Sequence, residues 1–270
     1  MSVDDPLSAV ADPAVTVRRD GPVAVLTLSR SAKANAMDGE ITGTLLHAVR
    51  SLCDDGDVRA MVLTGAGRSF SAGGDIETIR KMREDRAVRE AILEAHQELF
   101  WTMSRLPFCS VAAVNGAAVG AGVTVALLCD LVVMAQDAFL SDPRVALGLL
   151  DGAGGILLWP LLTSLSAAKE HLLLGDRIGS GEAHRLGLVN RVVPTADTVR
   201  EAVGLAHRLA ALPPYAVQEA RRLLNSHLGQ GATLLAECAR AESACFDTEE
   251  HRAAVEQLSG RLAAKAGESS

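Results

Sequence analysis

Two glycine-rich turns constrain this chain more than any other feature of it. The first reads GAGRSFSAGGDI over residues 65–76, the second NGAAVGAG over residues 115–122. Each follows a short apolar run with the length of a buried strand, residues 60–63 and 111–114. The second opens into residues 120–129, which are almost wholly apolar, so a helix there must be buried on every side. Strand, tight turn and buried helix form the unit of an α/β core. Two such turns side by side also bring two backbone N–H groups together, as stabilising a developing oxyanion requires.

The flanking sequence extends this pattern. Residues 15–18 and 23–29 flank Asp20, Gly21 and Pro22, a hairpin signal. Ile41, Leu45, Leu46 and Val49 form a helical stripe within residues 38–52, and charges alternate with apolar residues at helical spacing over 76–103. Further strands are expected at 110–114, 131–135, from Phe139, and at 189–193, with one or two helices in 156–174. From residue 197 onward the pattern is helical, broken at Pro213 and Pro214 and again near Gly229 and Gly231. The expected organisation is a loose tail over 1–13, an α/β core over 14–195, a helical region over 196–262 and a frayed end over 263–270. The helical region has no strands with which to close a sheet of its own. Helices with wide apolar faces and no independent core pack on a neighbour, which predicts an oligomer.

Composition narrows the function classes. Apolar residues make up 49% of the chain but aromatics only 3%, so the core is built from Ala, Val, Leu and Ile. A formal charge of −7 argues against non-specific binding to nucleic acid or an anionic membrane. The five cysteines are odd in number and lack C-x-x-C spacing, so reduced thiols are expected rather than a zinc site or disulfides. Neither a signal peptide nor a transmembrane run is read, and a cytoplasmic protein is expected. Phe70 stands where a dinucleotide fingerprint needs glycine, and Ser71 where a nucleophile elbow does. His184 and His207 read as helical and surface-facing, no H-x-x-x-H pair exists, and no metal site is expected. Trp101 and Trp159 read as packing residues near helix ends.

The ordered set of motifs resembles the enoyl-CoA hydratase/isomerase (crotonase) superfamily. It comprises Asn35, Ala36 and Met37, then GRSFSAGGDI (67–76), VNGAAVGAG (114–122) and Cys129 with Asp130. It continues through LGLLDGAGG (147–155), LGDR (174–177), EAHRLGLVNRVV (182–193) and FDTEE (246–250). The resemblance covers residues 15–255 and implies a crotonase-like spiral of ββα units with a C-terminal helical trimerisation region. It also implies a homotrimer or hexamer acting on an acyl-CoA thioester, with coenzyme A entering as part of the substrate and no separate cofactor. By position the family's two thioester-polarising N–H groups fall on Gly74 and Ala121. Coenzyme A falls along Ala34, Ala36, Ala72, Asp75 and Ile76, with Lys33 or Arg30 as candidates for its phosphates or as plain surface charge.

The two glutamates with which hydratases of this family activate water fall on Thr124 and Arg144. Neither can act as the base, since threonine does not ionise in the working range and arginine accepts no proton. Asp151 stands close to the turn where some relatives carry a catalytic aspartate. Two readings stand for it, a proton shuttle at the α or γ carbon, or an Asx cap of the following helix. Asp142 reads as a turn start, and Arg144 as a partner of Asp151, of a substrate carboxylate or of a structural ion pair. The expected activity is therefore isomerisation or other enolate chemistry on an acyl-CoA rather than standard hydration. Hydration through Asp151 and a catalytically silent acyl-CoA binding subunit are the alternatives. RNA binding is disfavoured by the acidic charge and the want of a basic helix interleaved with aromatics.

Overall fold

The computed structural model describes residues 14–268, so the tail expected over 1–13 lies outside the described residues. The chain opens with a hairpin, β1 (Val15–Asp20) and β2 (Val23–Leu28), turning through Gly21 at φ +59°. Three strand pairs follow. β3 (Ala60–Gly65) runs directly into β4 (Ser69–Ser71), β5 (Cys109–Val114) into β6 (Ala117–Val119), and β7 (Leu131–Ala135) into β8 (Phe139–Ser141). β9 (Ile178–Gly179) and β10 (Arg191–Val193) complete the set.

The first strand of each pair joins a six-stranded sheet of order β1-β2-β3-β5-β7-β10. The second joins a four-stranded sheet of order β4-β6-β8-β9. One or more helices follow each pair, so the chain advances as a spiral of strand, strand, helix. Every residue of β3 and β5 is buried, as parallel strands covered on both faces must be.

The helices supply that cover. α1 (Gly39–Asp54) begins at Asp38, whose carboxylate accepts the Ile41 N–H at 2.9 Å. The stretch 76–103, helical by its spacing, is two helices, α2 (Ile76–Glu84) and α3 (Arg86–Ser104). Asp85 makes the break: it is extended, and its carboxylate accepts the N–H groups of Ala87 and Val88. α4 (Ala121–Leu127) is buried throughout. Residues 156–174 divide into α5 (Gly155–Leu162) and α6 (Leu165–Leu174) at Ser164, which caps α6, and α7 (Ser180–Leu186) follows.

The C-terminal helices are α8 (Thr198–Ala210), α9 (Pro214–Gly229), α10 (Ala232–Cys245) and α11 (Glu249–Glu268). α8 departs from the expectation that this region packs on a neighbour. Its Ala202, Leu205 and Ala206 cover Val62, Val111, Ala113 and Val133 on one face of the larger sheet. α9 is tied down by buried Arg221, which donates to Asp130 at 2.8 Å and to the carbonyls of Met103 and Leu106 at 2.7 and 2.8 Å. α10 lies against α3 and α5. α11 runs to Glu268, through most of the stretch expected to fray, and residues 269–270 lie outside the described residues. The five cysteines are free thiols, and Trp159 is fully buried. Among the described residues, no helix is long and apolar enough to cross a membrane.

Candidate active site

The two glycine turns meet edge to edge. A Cβ on Gly73, whose φ is +80°, would stand 2.5 Å from the Val119 carbonyl oxygen, and one on Gly122 2.7 Å from the Ser71 Cβ. Only glycine lets the turns approach this closely. A strap of residues 34–37 fixes the first turn. The Ala72 N–H donates to the Ala34 carbonyl at 2.9 Å, Met37 N–H to Gly73 at 2.6 Å, and Ser71 Oγ to the Asn35 carbonyl at 2.8 Å. Ala34 and Asn35 both take positive φ, and the Asn35 amide holds that bend by donating to the carbonyls of Ala66 and Ser69.

As a result Gly74 and Ala121 line one cavity of about 230 Å³. Ala121 is the first residue of α4, where a backbone N–H has no intrahelical acceptor. Among the described residues, neither the Gly74 nor the Ala121 N–H has a hydrogen-bond partner. Ala72, Asp75, Ile76 and Arg144 line the same cavity, together with apolar Met37, Ile79, Leu149 and Phe246. Ala34 and Ala36 stand outside that lining, in the strap beside it, and Ala36 is buried. Asp75 caps α2 through the Thr78 N–H at 3.1 Å. Lys33 pairs with Glu77, and Arg30 with Asp38 and Glu40.

Residues 124 and 144 come together in a buried cluster on one side of the cavity. Arg144 donates to Asp142 at 2.7 and 2.6 Å and to Asp151 Oδ1 at 2.7 Å. Thr124 Oγ1 donates to Asp151 Oδ2 at 3.1 Å. Asp151 Oδ1 also accepts the N–H groups of Ala153 and Gly154 at 2.8 and 3.2 Å, which caps the turn into α5. Both oxygens of Asp151 are thus engaged. Asp151 is among the residues lining a second, apolar cavity with Ile156, Leu165 and Leu172, and is not among those lining the cavity of Gly74 and Ala121. Burial raises the Asp151 carboxyl above the ordinary range, against the pull of Arg144. Burial works to lower Arg144, but Asp142 and Asp151 override it and hold the guanidinium charged.

Two further groups reach the cavity, and neither was singled out from sequence. Glu242 of α10 is buried, and its Oε2 accepts the Gly152 N–H at 2.9 Å. Burial, with Asp151 adding and Arg144 opposing, pushes its carboxyl up to about 8. His96 of α3 lines the cavity with a buried Nε2 that has no partner among the described residues. Burial and the Arg144 charge push it down to about 4, so it stays neutral. A legible signal for Glu242 did exist: it follows Leu235 and Cys238 on the buried stripe of an amphipathic helix, where an unpaired carboxylate is out of place. Among the described residues, no group of His, Cys, Asp and Glu is arranged to hold a metal ion.

A spiral of strand pairs with two glycine turns facing one apolar cavity defines an α/β protein of the crotonase type. The profile of the enoyl-CoA hydratase/isomerase family matches residues 18–263, and the chain belongs to that family. A short-chain-enoyl-CoA hydratase of Clostridium acetobutylicum is 31% identical over 243 residues, 89% of this chain and 92% of the relative. The crystal structure of an enoyl-CoA hydratase/isomerase from Mycobacterium paratuberculosis superposes with a TM-score of 0.88 at 39% identity, covering 91% of this chain and 98% of that one. A monofunctional enoyl-CoA isomerase from M. smegmatis superposes at 0.69 with 31% identity, covering 81% and 95%. The chain is accordingly an enzyme of this family, with the spiral α/β fold and C-terminal helices that the resemblance implied.

Proposed function

We propose that this enzyme binds an acyl-CoA thioester with its carbonyl oxygen between the Gly74 and Ala121 N–H groups and stabilises the enolate formed there. The observation that carries this reading is the pair of unpartnered N–H groups on one apolar cavity. An N–H pair fixed before reaction stabilises the developing charge without reorganising, and one such donor is worth about 2.7–4 kcal/mol in the transition state. The cavity volume of about 230 Å³ lies below the ~300–1,000 Å³ of sites that enclose a whole ligand. It takes the acyl end, while the coenzyme A portion runs out past Ala72, Asp75 and Ile76.

Isomerisation or another enolate reaction fits this site better than two-carboxylate hydration. Thr124 and Arg144 hold the two carboxylate positions, and the Arg144 charge is already paired with Asp142 and Asp151. A panel of 2-enoyl- and 3-enoyl-CoAs incubated in deuterated water, read by mass for water addition and deuterium uptake, tests the reading. Deuterium uptake or double-bond migration without water addition is expected. Hydration at ordinary enzymatic rates of about 1–10³ per second would overturn the preference. We also infer a homotrimer or hexamer, supported by apolar side chains left exposed on α6 and α9.

A further inference from the structure

The geometry points to Glu242 as the single acid/base group of this site, moving one proton between the α and γ carbons of a bound enoyl thioester. This inference rests on the oxyanion reading above. Three observations carry it. Glu242 lines the cavity that Gly74 and Ala121 line, whereas Asp151 does not. Its Oε2 is fixed by the Gly152 N–H at 2.9 Å, and no donor among the described residues occupies Oε1. A Cβ on Gly152 would lie 2.3 Å from Oε2, so the turn is shaped to let this carboxyl in.

The surrounding charges suit a proton carrier. Arg144, Asp142 and Asp151 stand on the loop beside Glu242, with neutral His96 of α3 and Asp75 on the same cavity. One guanidinium already neutralised by two aspartates leaves the third carboxyl in the cluster without a full counter-charge. Together with burial this brings it to about 8, near the value at which a group both takes and returns protons at working pH.

In the ionised enzyme, Oε1 takes a proton from Cα of a 3-enoyl thioester. The Cα–H bond breaks, an O–H bond forms, and the electron pair moves onto the thioester oxygen between the two N–H groups. The dienolate then collapses, the O–H bond breaks, and a Cγ–H bond forms. The double bond has moved from Cβ–Cγ to Cα–Cβ with no atom gained or lost. No second base and no bound water are required.

The test uses the full chain with 3-hexenoyl-CoA, following the conjugated product by absorbance, and a 2,4-dienoyl-CoA as a probe of carbonyl polarisation. Glu242→Gln keeps an acceptor for the Gly152 N–H but carries no proton. It is expected to slow turnover by about 10²-fold or more while KM and the red shift of bound dienoyl-CoA stay close to wild type. The wild-type rate is expected to rise with pH to a plateau above about 8, and Glu242→Asp to keep that profile at lower amplitude. Turnover of Glu242→Gln within threefold of wild type, or a wild-type rate flat across the same range, overturns the role of Glu242 and leaves the oxyanion site standing. A dienoyl-CoA that binds wild type without any red shift overturns the oxyanion site itself. If Glu242→Gln does not fold, the pH profile of wild type decides.

Discussion

Arg144 and Asp151 are locked together at 2.7 Å on the ground where the resemblance sets a catalytic carboxylate. Thr124 donates to the same aspartate, so positions 124 and 144 are joined through residue 151. Breaking a buried pair by removing one charge typically costs about 3–5 kcal/mol. Asp151→Asn is expected to lose stability toward the low end of that range in urea unfolding, because Asp142 still neutralises Arg144. Its α-proton exchange per folded molecule is expected to fall much less than that of Glu242→Gln. Equal losses would return Asp151 to the acid/base role.

The spiral was legible because its parts are local. A glycine turn after an apolar run declares itself in a dozen residues, and the Asp20-to-Pro22 hairpin does the same. The break at Asp85 was hidden by charges that keep helical spacing straight across it, although the cap is one side chain. The meeting of the two turns was readable because it is a backbone feature, set by glycines that the sequence shows. The acids were not. The buried stripe of α10 marks Glu242 as unusual, but does not show that it meets the N–H of Gly152 from far along the chain, or that Asp151 is held by residues 124 and 144. Both outcomes depend on which distant elements meet, which no local pattern records.

Ala121 offers a way to delete one donor without deleting the helix. It is the first residue of α4, a position where proline is tolerated because the N–H there has no intrahelical role. Ala121→Pro removes that N–H. Turnover is expected to fall about 10²–10³-fold with little change in thermal unfolding. Undiminished turnover in a folded Ala121→Pro enzyme would show that the oxyanion lies elsewhere.

The proposed assembly can be tested at the exposed leucines. Leu165, Leu173 and Leu174 of α6 are 60%, 61% and 64% exposed, and Leu224 of α9 is 70% exposed. Leucines this open, grouped on two helices, are what the inferred trimer or hexamer would cover. Wild type is expected to sediment as a trimer or hexamer, and Leu173→Asp with Leu224→Asp to shift it toward monomer. A wild-type enzyme that sediments as a monomer at micromolar concentration would remove the inference.

Glu242 also couples stability to pH, with a sign that separates it from an ordinary surface acid. Its carboxyl sits at about 8 in the folded chain against an ordinary 4.5, so between those values the folded state holds a proton that the unfolded state has released. Its stabilising contribution is complete below about 4.5 and is lost as pH rises through about 8. Over that window the slope from this one group is at most about 1.4 kcal/mol per pH unit. Glu242→Gln carries no such proton. Wild type is therefore expected to lose stability relative to Glu242→Gln as pH climbs from about 5 to about 8, read by chemical unfolding of both proteins at each pH. Parallel curves would mean that Glu242 is ionised in the folded enzyme throughout this range, with Arg144 rather than burial setting its charge.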